Sequence, residues 1–202
     1  MDATQAVGKI PVSFEGVDTM SLTAHKFYGL NGIGLLLKRR RLALDPLIHG
    51  GESTTIYRSG TPTIALAASL ETALNSAVNE LSERSARVKE ANLYLRTALS
   101  KYPKVRINSP ENAVPEVLNF SENCIKSETM LAHLAQQQVY VSSASACGRG
   151  QPSHTLAAMG RDPLAIDTAI RVSFCADNTP EDVDAFLERF EDGMKHLQRI
   201  KK

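Results

Sequence analysis

The chain has 202 residues, 43% apolar and 22% charged, with a formal net charge of +1. This length can bury a core as one large domain or two small ones, and the near-neutral balance gives no electrostatic footprint for nucleic acid or an anionic membrane surface. No apolar run is long enough to cross a bilayer, and Met1–Gln5 lack the basic start and apolar core of a secretory signal. Three cysteines, Cys124, Cys147 and Cys175, form neither a disulfide framework nor a zinc-binding spacing. A reducing, cytoplasmic setting is therefore expected.

In chain order, residues 19–24 are β-compatible and Ile33–Leu37 reads as a buried strand. Between them lies the glycine-rich turn His25-Lys26-Phe27-Tyr28-Gly29-Leu30-Asn31-Gly32. Lys26 thus sits where the chain reverses at a strand end. The run Lys38-Arg39-Arg40-Arg41 reads as a solvated strand end. A long helical pattern follows, with Thr61 as its cap and Pro62 at its first position. Leu66, Leu70, Leu74, Val78, Leu81, Val88, Leu95 and Leu99 recur at helical spacing, with one break expected near Ser82 to Arg87.

Beyond Pro103 the texture shortens. Residues 105–108 and 117–120 read as strands, 127–137 as a helix and 138–142 as a strand. A brief helix over 154–159 stops at Gly160. Residues 170–175 alternate apolar and polar, as a half-buried strand does, and Thr179-Pro180-Glu181-Asp182 opens a last helix. The order predicts an α/β protein with two parts. Residues 1–81 form part of a larger domain together with the start of the connecting helix, and residues 82–202 form a small α+β domain. The first 60 residues hold too few elements to build and cover a sheet of their own.

Two segments carry chemistry. Thr23-x-His25-Lys26 places a hydroxyl and an imidazole beside a lysine in a turn. That set suits pyridoxal 5'-phosphate (PLP), which is carried covalently on a lysine amine and needs polar groups at its phosphate. Asp2-Ala3-x-Gln5-x-x-Gly8-Lys9-x-Pro11 supplies an acid able to keep a pyridine nitrogen protonated and an amide able to donate to a phenolic oxygen.

Taken together, these two segments, in order with Arg58-Ser59-Gly60-Thr61, Ser145-Ala146-Cys147 and Ile170-Arg171-Val172-Ser173, closely resemble the cysteine desulfurase branch of the aminotransferase class V family. The resemblance implies the PLP-dependent transferase (aspartate aminotransferase-like) fold. Residues 1–81 would be the C-terminal part of its large domain, and 82–202 its small domain with the cysteine loop. It also implies roles. Lys26 would carry PLP and shuttle the Cα proton. Asp2 would face the pyridine nitrogen, Gln5 the phenolic oxygen, and Thr23 and His25 the phosphate. Thr61 would reach the phosphate of a partner subunit's cofactor, and Arg171 would clamp the substrate carboxylate. Cys147 would take sulfur from L-cysteine as a persulfide, release L-alanine and pass the sulfur to an acceptor protein, supplying iron–sulfur clusters or thio-cofactors and tRNA. The small and polar residues on either side of Cys147, with Arg149 close by, suit a mobile thiol.

The implied partners are L-cysteine, the sulfur acceptor, and either a second copy in a homodimer or a complementing N-terminal half. No nucleic acid, membrane or metal is expected. Family members are roughly twice as long, so a fragment, a split gene product or a truncated reading frame is expected, with open sheet edges and exposed apolar faces. The segment 147–152 is also shorter by about two residues than in the long-loop desulfurases. The alternatives are a non-catalytic fragment acting as a binding module, a selenocysteine lyase, or a class V aminotransferase. The Ser-Ala-Cys context favours the desulfurase, because a transaminase needs no such thiol.

Overall fold

The computed structural model of the chain describes residues 1–51, 55–143 and 152–200. These fall into two units, Met1–Glu83 and Arg84–Lys202, each with its own buried cluster.

In the first unit β1 (Thr19–Thr23) runs antiparallel to β2 (Gly34–Lys38), with Ser21 opposite Leu36 and Thr23 opposite Gly34. A 3₁₀ turn, Ala24–Lys26, leaves the end of β1. The N-terminal residues lie along the other edge of β1. The Ser21 N–H donates to Met1 O at 3.1 Å and the Ala3 N–H to Ser21 O at 2.9 Å, forming a parallel bridge between Asp2 and Ser21. Alternation along β1 sends Met20 and Leu22 into a core with Ala3, Val7, Ala24 and Phe27, and with Leu70 and Ala77 of α1 (Ile64–Asn79). Thr19, Ser21 and Thr23 take the opposite face.

Two expectations need correction here, and a third gains its position. The run Ile33–Leu37 does yield a strand, but not a buried one: Leu36 is 56% and Leu37 37% exposed. Among the described residues β2 has no strand on its second edge, so it is an edge strand and not a central one, with only Ile33 and Leu35 of this run packed on the core. Helix α1 begins at Ile64 with Thr63 as N-cap, because its first bond runs from the Ala67 N–H to Thr63 O. Thr61 and Pro62 therefore precede the helix instead of opening it. The break in the long helical pattern falls at Glu80, whose φ of −97° and ψ of 2° leave helical geometry; α2 then runs Leu81–Leu99. The break thus comes just before the stretch 82–87.

In the second unit β3 (Arg106–Ile107), β4 (Val117–Ser121) and β5 (Ala169–Ser173) form an antiparallel sheet in that order, with Leu118 opposite Val172 and Asn119 opposite Arg171. Leu118, Phe120, Ile170 and Val172 face the core. There they meet Val88, Leu95 and Leu99 of α2, Met130 and Leu134 of α3 (Ser127–Gln136), and Val183, Phe186 and Phe190 of α6 (Pro180–His196). Phe190 is fully buried and central. Its ring stacks on Phe186 at 5.8 Å and meets Phe120 edge-on at 5.6 Å and Tyr102 at 5.8 Å. The Thr179 N–H donates to the Asp182 carboxylate at 3.1 Å, so the expected start of the last helix is capped as its sequence implies.

The strand expected over 138–142 is reduced to a single bridge, Ser142 with Arg171. Gln138 has φ 62°, and the N–H groups of Gln138 and Val139 turn back onto Ala135 O and Leu134 O to close α3. These residues therefore serve as a helix cap. The brief helix α4 (His154–Ala158) is closed by Gly160 at φ 70°, and the Arg161 N–H bonds Leu156 O. A further short helix, α5 (Pro163–Asp167), is capped by Asp162. An Asp-Pro pair in that place is a helix-start signal that the periodicity of so short a segment does not reveal.

Glu122, at the turn after β4, is fully buried. One carboxyl oxygen accepts from the Ile125 N–H, and the other has no partner. Burial pushes its pKa up to about 7, against weaker lowering by the Ile125 and Cys124 N–H groups, the Cys124 side chain and the charge of Arg199. The folded chain thus keeps a proton that the unfolded chain loses near 4.5. The resulting stabilisation is complete below that value, declines as pH rises to about 7, and is absent above it.

Two stability outcomes are expected from urea unfolding. Phe190→Ala costs about 3–5 kcal/mol by leaving a cavity among three aromatic neighbours. The difference between the native chain and Glu122→Gln, which lacks the ionisation, shifts by up to roughly 3 kcal/mol in favour of the variant between pH 5 and pH 8. A difference that stays flat with pH would show that Glu122 titrates normally.

Candidate functional site

The polar face of β1 organises the first unit. Residues paired across a bridge and residues two apart on a strand point to the same side, so Asp2, Ser21 and Thr23 share one face. The Asp2 carboxylate accepts from the Thr4 N–H at 2.8 Å. Hydrogen bonds from the Thr4 side chain and backbone, and then from Ser21, hold its pKa below the usual carboxylate range despite some desolvation. Asp2 is thus a stable anion, the state needed beside a pyridinium. Thr23 Oγ1 donates to Ile33 O at 3.0 Å and lies 3.2 Å from His25 Nδ1. His25 and Lys26 are exposed at the end of the 3₁₀ turn, and the Lys26 amine makes no hydrogen bond or ion pair among the described residues.

The turn is fixed from behind by close packing. A Cβ at Gly29 would come within 2.7 Å of the Ala24 Cβ and 3.1 Å of the Ala73 Cβ on α1. A side chain there would push the turn off the helix. The Gly29 N–H and the Phe27 N–H both bond Ala24 O, so Lys26 is carried on a tight, doubly tied loop.

The structure therefore brings Asp2, Thr23, His25 and Lys26 to one end of one strand and its neighbour. Gln5 is exposed nearby in sequence, and its side-chain oxygen accepts from the Lys9 amine at 2.6 Å. Thr61 is exposed in the segment before α1. Ser21, which supports the Asp2 carboxylate, opens the motif Ser-x-Thr-x-His-Lys but has no role legible in the sequence. Its signal was the alternation Thr19-Met20-Ser21-Leu22-Thr23, but only the register with Asp2 gives that serine a task.

Arg171 belongs to the second unit. It is half-buried in β5 on the face away from the core, opposite Asn119. Its Nε is enclosed without a hydrogen bond, and its guanidinium has no ion-pair partner among the described residues. A planar, unpaired guanidinium of this kind suits a carboxylate. Its backbone is fully engaged: the Ser142 N–H donates to Arg171 O at 3.1 Å and the Arg171 N–H to Ser142 O at 2.5 Å. Cys147 and Arg149 lie outside the described residues. Cys124 is buried, Cys175 half-buried, and both are free thiols. Among the described residues no cluster could hold a metal ion, and no helix is long and apolar enough to cross a membrane.

These features are those of the PLP-dependent transferase fold, present here as a partial chain. The model of the aminotransferase class-V family matches residues 1–186, and the chain belongs to that family. It is 35% identical over 205 residues to the cysteine desulfurase IscS of Dictyoglomus turgidum, covering 98% of this chain and 52% of that one. It is 37% identical to an IscS-like cysteine desulfurase of Mycobacterium tuberculosis, covering 93% of this chain and 49% of that one. Among solved structures, a NifS-like protein superposes with a TM-score of 0.87 at 36% identity, covering 97% of this chain and 52% of the other. The chain spans about half the length of the curated relatives it matches.

Proposed function

We propose that this chain supplies the lysine-bearing and cysteine-bearing half of a PLP-dependent cysteine desulfurase. The observation that carries this reading is the polar face of β1, where an acid held as an anion, a hydroxyl and an imidazole lead to a lysine amine with no partner among the described residues. The named activity of relatives at 35–37% identity supports it. These residues fit the cofactor: Lys26 would hold it, with Asp2 at the ring nitrogen, Gln5 at the phenolic oxygen, and Thr23 and His25 at the phosphate.

When bound, PLP supplies an electron sink for bond cleavage at the substrate's α and β carbons. The Lys26 amine takes the Cα proton and returns it. Arg171 holds the substrate carboxylate in a fork of two hydrogen bonds. The Cys147 thiolate attacks the sulfur of the bound cysteine. An S–S bond forms as the C–S bond breaks, the electron pair passes to carbon, and protonation there gives alanine. The persulfide on Cys147 is the product passed to an acceptor protein, for iron–sulfur clusters or for thio-cofactors and tRNA. On this reading the working assembly is a homodimer in which Thr61 reaches the partner's phosphate, or a complex with a polypeptide supplying the other half of the fold. Its setting is the reducing cytoplasm, in keeping with the free thiols of Cys124 and Cys175.

Added PLP should give the chain a borohydride-fixable absorbance, with the mass adduct on Lys26 and none in Lys26→Ala. In the active assembly Cys147→Ser should keep that colour and lose sulfur transfer by about two orders of magnitude or more. Retained turnover in Cys147→Ser would remove the role given to that thiol. Arg171→Gln should raise the KM for cysteine roughly ten- to a hundredfold with the colour unchanged, as read from steady-state alanine production.

A further inference from the structure

The second unit contains a pocket of about 580 Å³ that the proposed desulfurase chemistry does not use. It lies between the C-terminal turns of α2, the loop after β3 and the turn between α4 and α5. Its walls include Arg96, Ser109, Glu111, Met159 and Arg161. Two guanidiniums are gathered there by the carbonyls of three successive residues. Arg96 donates to Ser109 O at 3.2 Å and to Pro110 O at 3.3 Å, while Arg161 donates to Asn108 O at 3.5 Å.

Neither arginine has a carboxylate partner among the described residues. Two guanidiniums lining one pocket repel each other, and an anion between them offsets that repulsion. Arg161 Nε is also enclosed without a hydrogen bond. A negative charge in front of Arg161 offsets the cost of enclosing its guanidinium.

We propose that this pocket binds a phosphoryl oxyanion, carried by free orthophosphate or by a small phosphate ester. Each guanidinium has five N–H donors, of which Arg96 uses two and Arg161 one. Ser109 Oγ accepts from the Asn119 N–H at 2.9 Å, which leaves its own hydroxyl proton to donate. The donors that remain exceed what the two oxygens of a carboxylate can accept, and they suit the three of a phosphoryl group. Ile107, Pro110 and Met159 add apolar wall beside them, against which the organic part of an ester can pack. Glu111 lines the same pocket, is exposed and pairs with neither arginine. It therefore opposes the anion and sets an upper bound on affinity.

The test is a titration of the isotope-labelled 202-residue chain with orthophosphate, phenyl phosphate and acetate, followed by amide and arginine Nε resonances. Saturable shifts are expected at Arg96, Asn108, Ser109 and Arg161 with both phosphates and not with acetate. Tighter binding of phenyl phosphate would identify an ester as the ligand; equal binding would identify free phosphate. Arg161→Gln should weaken binding about tenfold or more, and Glu111→Gln should strengthen it. Arg161→Lys, which keeps the charge and the fold but loses the planar fork, should fall between. Shifts confined to Thr23 and His25, shifts that acetate reproduces, or Arg161→Gln binding as tightly as the native chain would each overturn the proposal.

Discussion

The pairing of β4 with β5 is the constraint on which the second unit depends. Its register places Leu118 opposite Val172 and Phe120 opposite Ile170 on one face, and Asn119 opposite Arg171 on the other. A slip of β5 by one residue would place Arg171 opposite a core residue of β4 and turn its guanidinium into the aromatic cluster. The cost of enclosing an unpaired guanidinium against Phe190 and Phe186 excludes that alternative. Core packing therefore fixes which way Arg171 points, and the guanidinium available for a carboxylate is a by-product of where the phenylalanines must go.

The first unit reaches a similar result with backbone bonds in place of mass. Three short segments, residues 1–3, β1 and β2, hold a polar face whose residues come from distant turns of sequence. Asp2 and Ser21 are nineteen positions apart in number but adjacent in register. The backbone bonds that make them neighbours run through Met1, Ala3 and Ser21, while the lowered pKa of Asp2 comes first from its local bonds to Thr4, with Ser21 adding a smaller share that the register makes possible.

Much of this was legible in the sequence. Alternation in β1 and β5, the Thr-Pro-Glu-Asp start of α6 and the glycine closing α4 carry their structure locally, so a linear reading finds them. What it misses depends on partners. Ile33–Leu37 is as apolar as a central strand, yet its burial depends on layers that lie elsewhere in the fold. The residues after α3 have strand composition, but Gln138 at φ 62° commits them to closing a helix. Thr61-Pro62 has the chemistry of a helix start and is displaced by two residues, because Thr63 carries the carbonyl that the first turn uses. The site motifs were readable as a set of residue types. Ser21 gained a role only once the register paired it with Asp2, and the two arginines at 96 and 161 only once three consecutive carbonyls drew them together.

The contact of Gly29 with Ala24 and Ala73 bears on how this chain can vary. These three positions are separated in sequence but share one small volume: a single methyl added at 29 would already overlap the Ala24 methyl and crowd that of Ala73. Gly29 cannot enlarge without lifting the lysine-bearing turn from α1, and no residue smaller than glycine exists to make room there for growth at 24 or 73. Related chains that preserve the lysine should carry small residues at all three places, even though none of them is among the residues proposed to hold the cofactor and Ala73 lies far from the motif by which the lysine is recognised.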